Sequence, residues 1–422
     1  MCTYGTLPPM QYPLYINGKN KQDTSAYARR HFLEHIYAGH GGAYFDFSRD
    51  ITPLTRHIPA KRRTDVILFA PMDRDYPIGL NPIPLLPPST IVDIFKSVHH
   101  YDRGDVATPN FDTYMYATIA ALRCHPDSTL RNVVHLLKRK DYRGRVMQHI
   151  TDPDLHEFWC DYDKLSDKKR DDITDSTINK IYPLITDPII RNIIGQKKTA
   201  FSLTPRSILI ATFPQELGRE KGSFLATLLL SILPDGMLTV LDDGHRLGFS
   251  AVLDAIHRLD LVFSHQYAAQ LSPMLYETLI GTAATLVAFR TSPTDAKRLR
   301  PEFYLFPQDD HLNELAPGKY YVRYPSTTDR RQHTLEPLDF PAGSAEQVRD
   351  VSRQLNVLNV IGRLPYATPR ERIEAQLRSP LDEHSQRGAR SKHAKGGGYH
   401  ATQTDPKPEG WRRGVVKRQL RA

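Results

Sequence analysis

Cysteine is nearly missing from this chain: its 422 residues include only Cys2, Cys124 and Cys160. An odd, scattered trio excludes a disulfide framework and a four-thiolate metal site, and it points to a reducing, cytoplasmic setting. Long apolar runs are missing as well. The longest, Phe224–Leu233, spans ten residues, where a membrane helix needs roughly 20, so no membrane span is expected. The N-terminal region carries Pro8, Pro9 and Pro13 in place of the basic-then-apolar layout of a signal peptide. Familiar catalytic signatures are absent too: there is no G-x-S-x-G elbow and no G-x-G-x-x-G after a strand. His31 and His35 share a helix face with His40 beyond, but Phe32 stands where a zinc protease carries Glu. No carboxylate or cysteine completes a ligand set at a recognisable spacing, so no zinc is expected. No internal repeat is visible.

What remains is ordinary globular composition, 40% apolar, 24% charged and 9% aromatic, enough for two or three domains by length. The formal charge is +9, and it is unevenly placed. Residues 367–422 hold 13 Lys+Arg against 6 Asp+Glu, a net +7, and include Gly396, Gly397 and Gly398. Such a segment buries too little surface to offset its ordering entropy and reads as a disordered basic tail. The other 366 residues are nearly neutral, with 43 basic and 41 acidic side chains.

Within that body, short buried runs alternate with helical patterns. Pro13–Asn17, Ala43–Phe47, Asp65–Ala70, Ser207–Phe213, Met237–Leu241, Leu261–Ser264 and Thr285–Phe289 predict strands covered on both faces. Thr24–Tyr37, Phe224–Leu233, Phe249–Arg258 and Pro273–Leu279 predict the intervening helices. The alternation implies an α/β fold with a largely parallel sheet and helices on both faces. From about Ser89 to Thr199 the strand signal vanishes, and a stretch that long is an all-α insertion rather than a loop. Tyr320–Tyr324 predicts a late edge strand. The expected organisation is residues 1–88 and 201–366 as two parts of one core, 89–200 as the insertion and 367–422 as the tail.

Ligands of such sheets bind at the carboxyl ends of the strands. After the first strand, Gly18 and Ser25 fit the ends of a phosphate-loop pattern G-x-x-x-x-G-K-[ST], but Asp23 replaces its second glycine and Thr24 its lysine. Lys19 and Lys21 are the cations nearby. Asp242 and Asp243 end an apolar strand, the pattern of a Mg²⁺-holding acid followed by a catalytic acid; Asp-Asp-Gly is equally good turn chemistry. Gln266 follows another strand, where a glutamine senses a γ-phosphate or simply caps a loop. Arg290 ends a third, as an arginine finger or as one half of a surface ion pair.

Taken in order, these segments resemble the HerA–FtsK superfamily of P-loop motor ATPases, in particular its TraD/TraG (VirD4-like) coupling-protein branch of conjugation and type IV secretion. The resemblance covers roughly Tyr12 to Pro325. It rests on Ala38–Asp46 with Asp50, the run Asp65–Pro82, Phe158-Trp159, Asn179-Lys180, Asp187–Gln196, Leu217-Gly218, Asp242-Asp243, His265-Gln266-Tyr267, Gln270-Leu271, Phe289-Arg290 and Asp295-Ala296. Ser48 and Arg49 depart from the family's usual His-Gly.

The resemblance implies a RecA-like P-loop NTPase fold, ATP and Mg²⁺ as ligands, and a ring, normally a hexamer, that threads DNA. It would place Gly18, Thr24 and Ser25 in the phosphate loop and Ser25 and Asp242 on Mg²⁺. Asp243 would be the catalytic acid, Gln266 the γ-phosphate sensor and Arg290 a finger acting on a neighbour's nucleotide. Losing the phosphate-loop lysine removes charge where phosphoryl transfer develops it. Three readings follow: a pseudo-ATPase or weak ATPase in DNA transfer or in a mixed ring with an intact motor, an active ATP-driven translocase, and a DNA- or protein-binding adaptor on the same scaffold. The basic tail is expected to meet DNA through phosphates.

Overall fold

Seven predominantly apolar runs each form a strand, and all seven lie side by side in one sheet. The computed structural model describes residues 11–47, 52–55, 57–103, 109–305, 312–324, 332–334, 362 and 365–378. The strands are β1 Leu14–Asn17, β2 Gly42–Asp46, β3 Val66–Phe69, β4 Ile208–Thr212, β5 Leu238–Asp242, β6 Asp260–His265, β7 Thr285–Ala288, β8 Lys319–Arg323 and β9 Gln332–Thr334. Their order is β3-β4-β2-β5-β6-β1-β7-β8-β9. The pairs from β3 through β7 are parallel, and β8 and β9 add antiparallel partners at one edge. The expected edge strand at Tyr320–Tyr324 is thus β8; β9 carried too short a signal to be read.

Side chains alternate between the two faces with the period of a strand. Leu14, Ile16, Tyr44, Val240, Val262 and Val287 face Tyr27, Phe32, Leu33 and Ile36 of the helix Lys21–Tyr37. Tyr15, Phe45, Leu209, Leu241 and Phe263 face the other way, into a core shared with Phe95, Phe224 and Leu228. Burial on both faces explains why the strands read as continuous apolar runs.

Between β3 and β4 the regular elements of the described chain are all helices: Pro88–Arg103, Pro109–Cys124, Asn132–Lys138, Lys140–Met147, Pro153–Lys164, Asp167–Thr186 and Pro188–Ile194. The sequence predicts helices here at Thr90–His99, Phe111–Cys124, Thr129–Leu137 and Thr177–Ile185, so three, at 140–147, 153–164 and 188–194, are additions. Pro153 and Pro188 begin helices capped by Asp152 and Asp187, the position where proline fits a first turn.

Two expectations need correction. The first helix begins at Lys21 rather than Thr24, because Asn20 caps it through its side chain onto the Gln22 N–H. The tail expected from residue 367 starts with structure: Ala367 bridges Ile78, and Arg370–Arg378 is helical. The chain divides into Met1–Arg370 and Glu371–Ala422. The rest of the expected basic tail, residues 379–422, and the segment Ser48, Arg49 and Asp50 lie outside the described residues. No described helix is long and apolar enough to cross a membrane.

Candidate functional site

The sheet register brings the acids and their neighbours to one end. Asp46 pairs with Asp242, Asp242 with Ser264, and Asn17 with His265 across adjacent strands. One strand, β6, separates β5 from β1, so the tip carrying Gln266 lies between Asp242-Asp243 and the start of the first helix.

Asp242 is 2% exposed and saturated with hydroxyl donors. Ser25 Oγ and Ser264 Oγ donate to its Oδ1 at 2.9 and 2.8 Å, and Tyr44 OH donates to Oδ2 at 2.8 Å. Burial, and then the neighbouring Asp243, push its carboxyl above the usual carboxylate range. The Ser25–Asp242 pair is the juxtaposition that a Mg²⁺ site would require. No group of three or more potential metal-ligating side chains occurs among the described residues.

Asp243 is held in the left-handed region at φ 66°, a conformation Asp tolerates better than most residues. Its carboxylate is engaged twice, by the Lys21 ammonium and by the Gln266 amide. Gln270 fixes Gln266 in turn: its Nε2 donates to Gln266 Oε1 at 3.0 Å, and its own Oε1 accepts the backbone N–H groups of Gln266 and Tyr267. Lys21, Asp243, Gln266 and Gln270 form one chain of contacts across three elements. The sequence flagged Asp243 and Gln266; Gln270 and Tyr44 entered only as part of the family resemblance, and neither the brace from Gln270 nor the hydroxyls of Tyr44 and Ser264 on Asp242 were foreseen.

The connection from β1 to the first helix is only Gly18, Lys19 and Asn20. A phosphate cradle needs an arch whose N–H groups point at the anion. Here four N–H groups of the segment are already donated. Lys19 N–H goes to Arg290 O at 2.8 Å, Gln22 N–H to Asn20 Oδ1 at 3.1 Å, and those of Asp23 and Thr24 to Asn20 O at 3.2 and 3.4 Å. Thr24 is fully buried. Gly18 has a packing reason of its own: a Cβ there would sit 2.6 Å from Phe289 Cβ. The residues therefore do not fit a bound triphosphate, although Ser25 and Asp242 fit a metal pair.

Arg290 is exposed at the tip of β7, with Nε donating to Asn313 O at 3.1 Å. The segment Gly18–Asn20 is beside it through the Lys19–Arg290 backbone bond. Beneath the site lies a buried histidine, His265, to which the sequence reading gave no role of its own. His265 Nδ1 donates to Tyr267 O at 3.1 Å, so Nε2 accepts from Tyr15 OH at 2.5 Å and Asn17 Nδ2 at 3.3 Å. Burial, and then His245, pull its pKa down to about 3.

No family model and no curated protein matches the chain. Solved structures do. The bacterial conjugative coupling protein TrwBΔN70, in its unbound form, is 13% identical over 78% of this chain and 85% of its own, with a TM-score of 0.53. The plasmid coupling protein TrwB in complex with ADP and Mg²⁺ is 14% identical over 78% and 86%, at 0.51. VirB4 of Thermoanaerobacter pseudethanolicus is 13% identical over 77% and 89%, at 0.52. At such identities it is the architecture that is shared, and the chain has the RecA-like P-loop fold of TrwB.

Proposed function

We propose that the chain is a coupling-protein-like subunit of a DNA-transfer or DNA-translocation system whose own nucleotide site is closed. It acts as a pseudo-ATPase, within a homo-oligomeric ring or a mixed ring beside an intact motor. One observation carries this reading: helix Lys21–Tyr37 starts three residues after β1, and the N–H groups of Asp23 and Thr24 close its first turn. The segment that would have to arch around phosphates is already helix. Lys21, the cation that could answer for the missing lysine, is held by Asp243.

The wider reading draws on the shared fold and on the family resemblance of the sequence, and TrwB itself has been solved with ADP and Mg²⁺. In this chain Ser25 and Asp242 would hold Mg²⁺, with Gly18 and Thr24 in the phosphate loop, Asp243 as the acid and Gln266 as the sensor. Because the phosphate cradle does not fit, no hydrolytic step is assigned to them. Arg290, exposed at a strand tip, would serve a neighbouring subunit's nucleotide.

The test is calorimetric titration of the purified chain with ATP and Mg²⁺, beside turnover measured with and without DNA. The expected result is no DNA-stimulated turnover. Robust turnover would overturn the proposal and favour an active translocase, a reading that gains from Lys21 reaching the strand tips at all. In that case Lys21→Ala should abolish turnover.

A further inference from the structure

The chain crosses twice between the sheet and the helical insertion, and the two crossings are bonded to each other. Leu80 N–H donates to Ile193 O at 3.1 Å and Ala200 N–H to Gly79 O at 3.0 Å. Asn81, 1% exposed, clamps the pair. Its N–H donates to Thr199 Oγ1 at 3.0 Å, and its Nδ2 to Lys197 O and Ser128 O, each at 2.8 Å. Residues 77–81 and 193–200 thus make a neck of two crossings held together by hydrogen bonds.

A third segment lies along this neck, and it comes from far along the sequence. Ala367 bridges Ile78 in antiparallel sense. Thr368 N–H donates to Pro77 O at 3.1 Å and Arg370 N–H to Asp75 O at 2.9 Å. Tyr366 stands edge-on to Phe201, ring centres 6.5 Å apart. Just before it, Gly362 approaches the outermost strand β3 so closely that a Cβ would lie 3.2 Å from Val66 O. The exposed Arg370–Asp75 ion pair at 3.9 Å adds little. The backbone hydrogen bonds and the aromatic contact are what hold the segment.

We propose that Tyr366–Arg370 is a detachable strap on the neck. Engaged, it stiffens the hinge between the sheet and the insertion. Load on the residues that follow Arg370, such as their capture by a polyanion, draws the strap away and frees that hinge. The physical basis is that the strap adds backbone hydrogen bonds to the outgoing crossing alone, so it can leave without breaking those between the two crossings. Through the helix Arg370–Arg378 the strap leads into residues 379–422, whose ten Lys+Arg against four Asp+Glu couple electrostatic capture to a mechanical element. The inference does not depend on the nucleotide site.

Hydrogen exchange at the Leu80 and Ala200 amides tests it, in the full chain, in a chain ending at Arg378 and in one ending at Leu364. The strap is retained in the second and lost in the third. Exchange should be alike in the first two and about fivefold to tenfold faster in the third, the effect of losing one or two backbone hydrogen bonds. The full-length variant Thr368→Pro, which removes one strap donor, should shift exchange in the same direction while leaving the urea midpoint of global unfolding unchanged. Adding duplex DNA should speed exchange at both amides in the full chain and leave the chain ending at Arg378 unchanged. Equal exchange in all three chains would overturn the strap, and an equal DNA response in the full chain and the one ending at Arg378 would overturn its release through residues 379–422. No DNA response in the full chain would overturn its release by load.

Discussion

Ser25 Oγ donates to Asp242 Oδ1 at 2.9 Å, joining the first helix to the tip of β5. Ser264 and Tyr44 complete the shell around the same carboxylate, so Asp242 serves the fold whatever it does for a metal. Asp242→Ala should therefore destabilise the protein by about 1–3 kcal/mol, since it leaves three hydroxyl donors without their common acceptor. Asp242→Asn keeps one acceptor oxygen and removes a buried charge, so its cost at neutral pH should be under about 1 kcal/mol. The sign of the pH effect follows from the raised carboxyl pKa. The proton's contribution to stability is full below the unfolded value and is lost as pH rises through the higher folded one. Urea melts of the three proteins at acid and neutral pH check this; an asparagine variant as unstable as the alanine one would sink the account.

The sequence departs from a phosphate loop at Asp23 and Thr24, which suggests repairing it by Asp23→Gly/Thr24→Lys. The structure predicts that this fails. Thr24 is fully buried, and its Cγ2 would be 3.1 Å from a Cβ placed on Gly18, so a lysine there overpacks the site. The helix also starts too early for a glycine at 23 to open an arch. The double variant should lose about 1–3 kcal/mol of stability and gain no ATP turnover. Turnover in the variant would show that the connection can refold around a nucleotide.

Gly18 offers a cleaner probe of the same connection. A methyl group there meets Phe289 Cβ at 2.6 Å, and the backbones of Gly18–Lys19 and Phe289–Arg290 are bonded together. Gly18→Ala should lower the melting temperature, by an amount equivalent to about 1–3 kcal/mol. A neutral substitution would mean that the close approach of β1 and β7 is softer than it looks.

The parallel strands were legible because burial on both faces leaves short runs dominated by apolar side chains, as in SILIATF and TLVAF. The insertion was legible as a gap in that rhythm. Its short helices at 140–147, 153–164 and 188–194 were not, because the first and last expose too few residues to show a 3.6-residue period and the second places only Trp159 and Tyr162 in the core. At the candidate site, Asp242, Asp243 and Gln266 stood out because polar residues end apolar strands. The helix start at Lys21 was hidden because Lys, Gln and Asp suit a first turn as well as a loop, and the capping oxygen of Asn20 decides between them. Tyr44, Ser264 and Gln270 reach the site through strand register and a short turn, which pairwise spacing in one sequence does not encode.

DNA contact is expected from the basic residues after the described helix Arg370–Arg378. Residues 379–422 carry ten Lys+Arg, and each phosphate they neutralise adds about −0.9 to the slope of log affinity against log salt on duplex DNA. Removing these residues should flatten that slope by several units and weaken binding at low salt, as fluorescence anisotropy across a salt series would show. An unchanged slope would place DNA contact on the body instead.

His265 should make the fold sensitive to acid. Its pKa is drawn down to about 3 by burial first and by His245 second, with the Tyr267 carbonyl, Gln270 and Asp243 opposing. Protonation at Nε2 would set a new N–H against the Asn17 amide donor, 3.3 Å away. His31, buried and bonded to Tyr12 OH at 2.8 Å, is likewise drawn down to about 4 by burial and then His35. A depressed histidine pKa contributes stability that is full above about 6.5 and is lost as pH falls toward the folded value. The loss amounts to about 1.4 kcal/mol per pH unit for each such group. Stability from urea melts should therefore fall steadily between about pH 6.5 and pH 4.5. His265→Gln, which keeps an amide in place of the ring, should remove roughly one histidine's share of that slope while lowering stability at pH 7. The same slope in the variant would show that the buried ring is not what acid attacks.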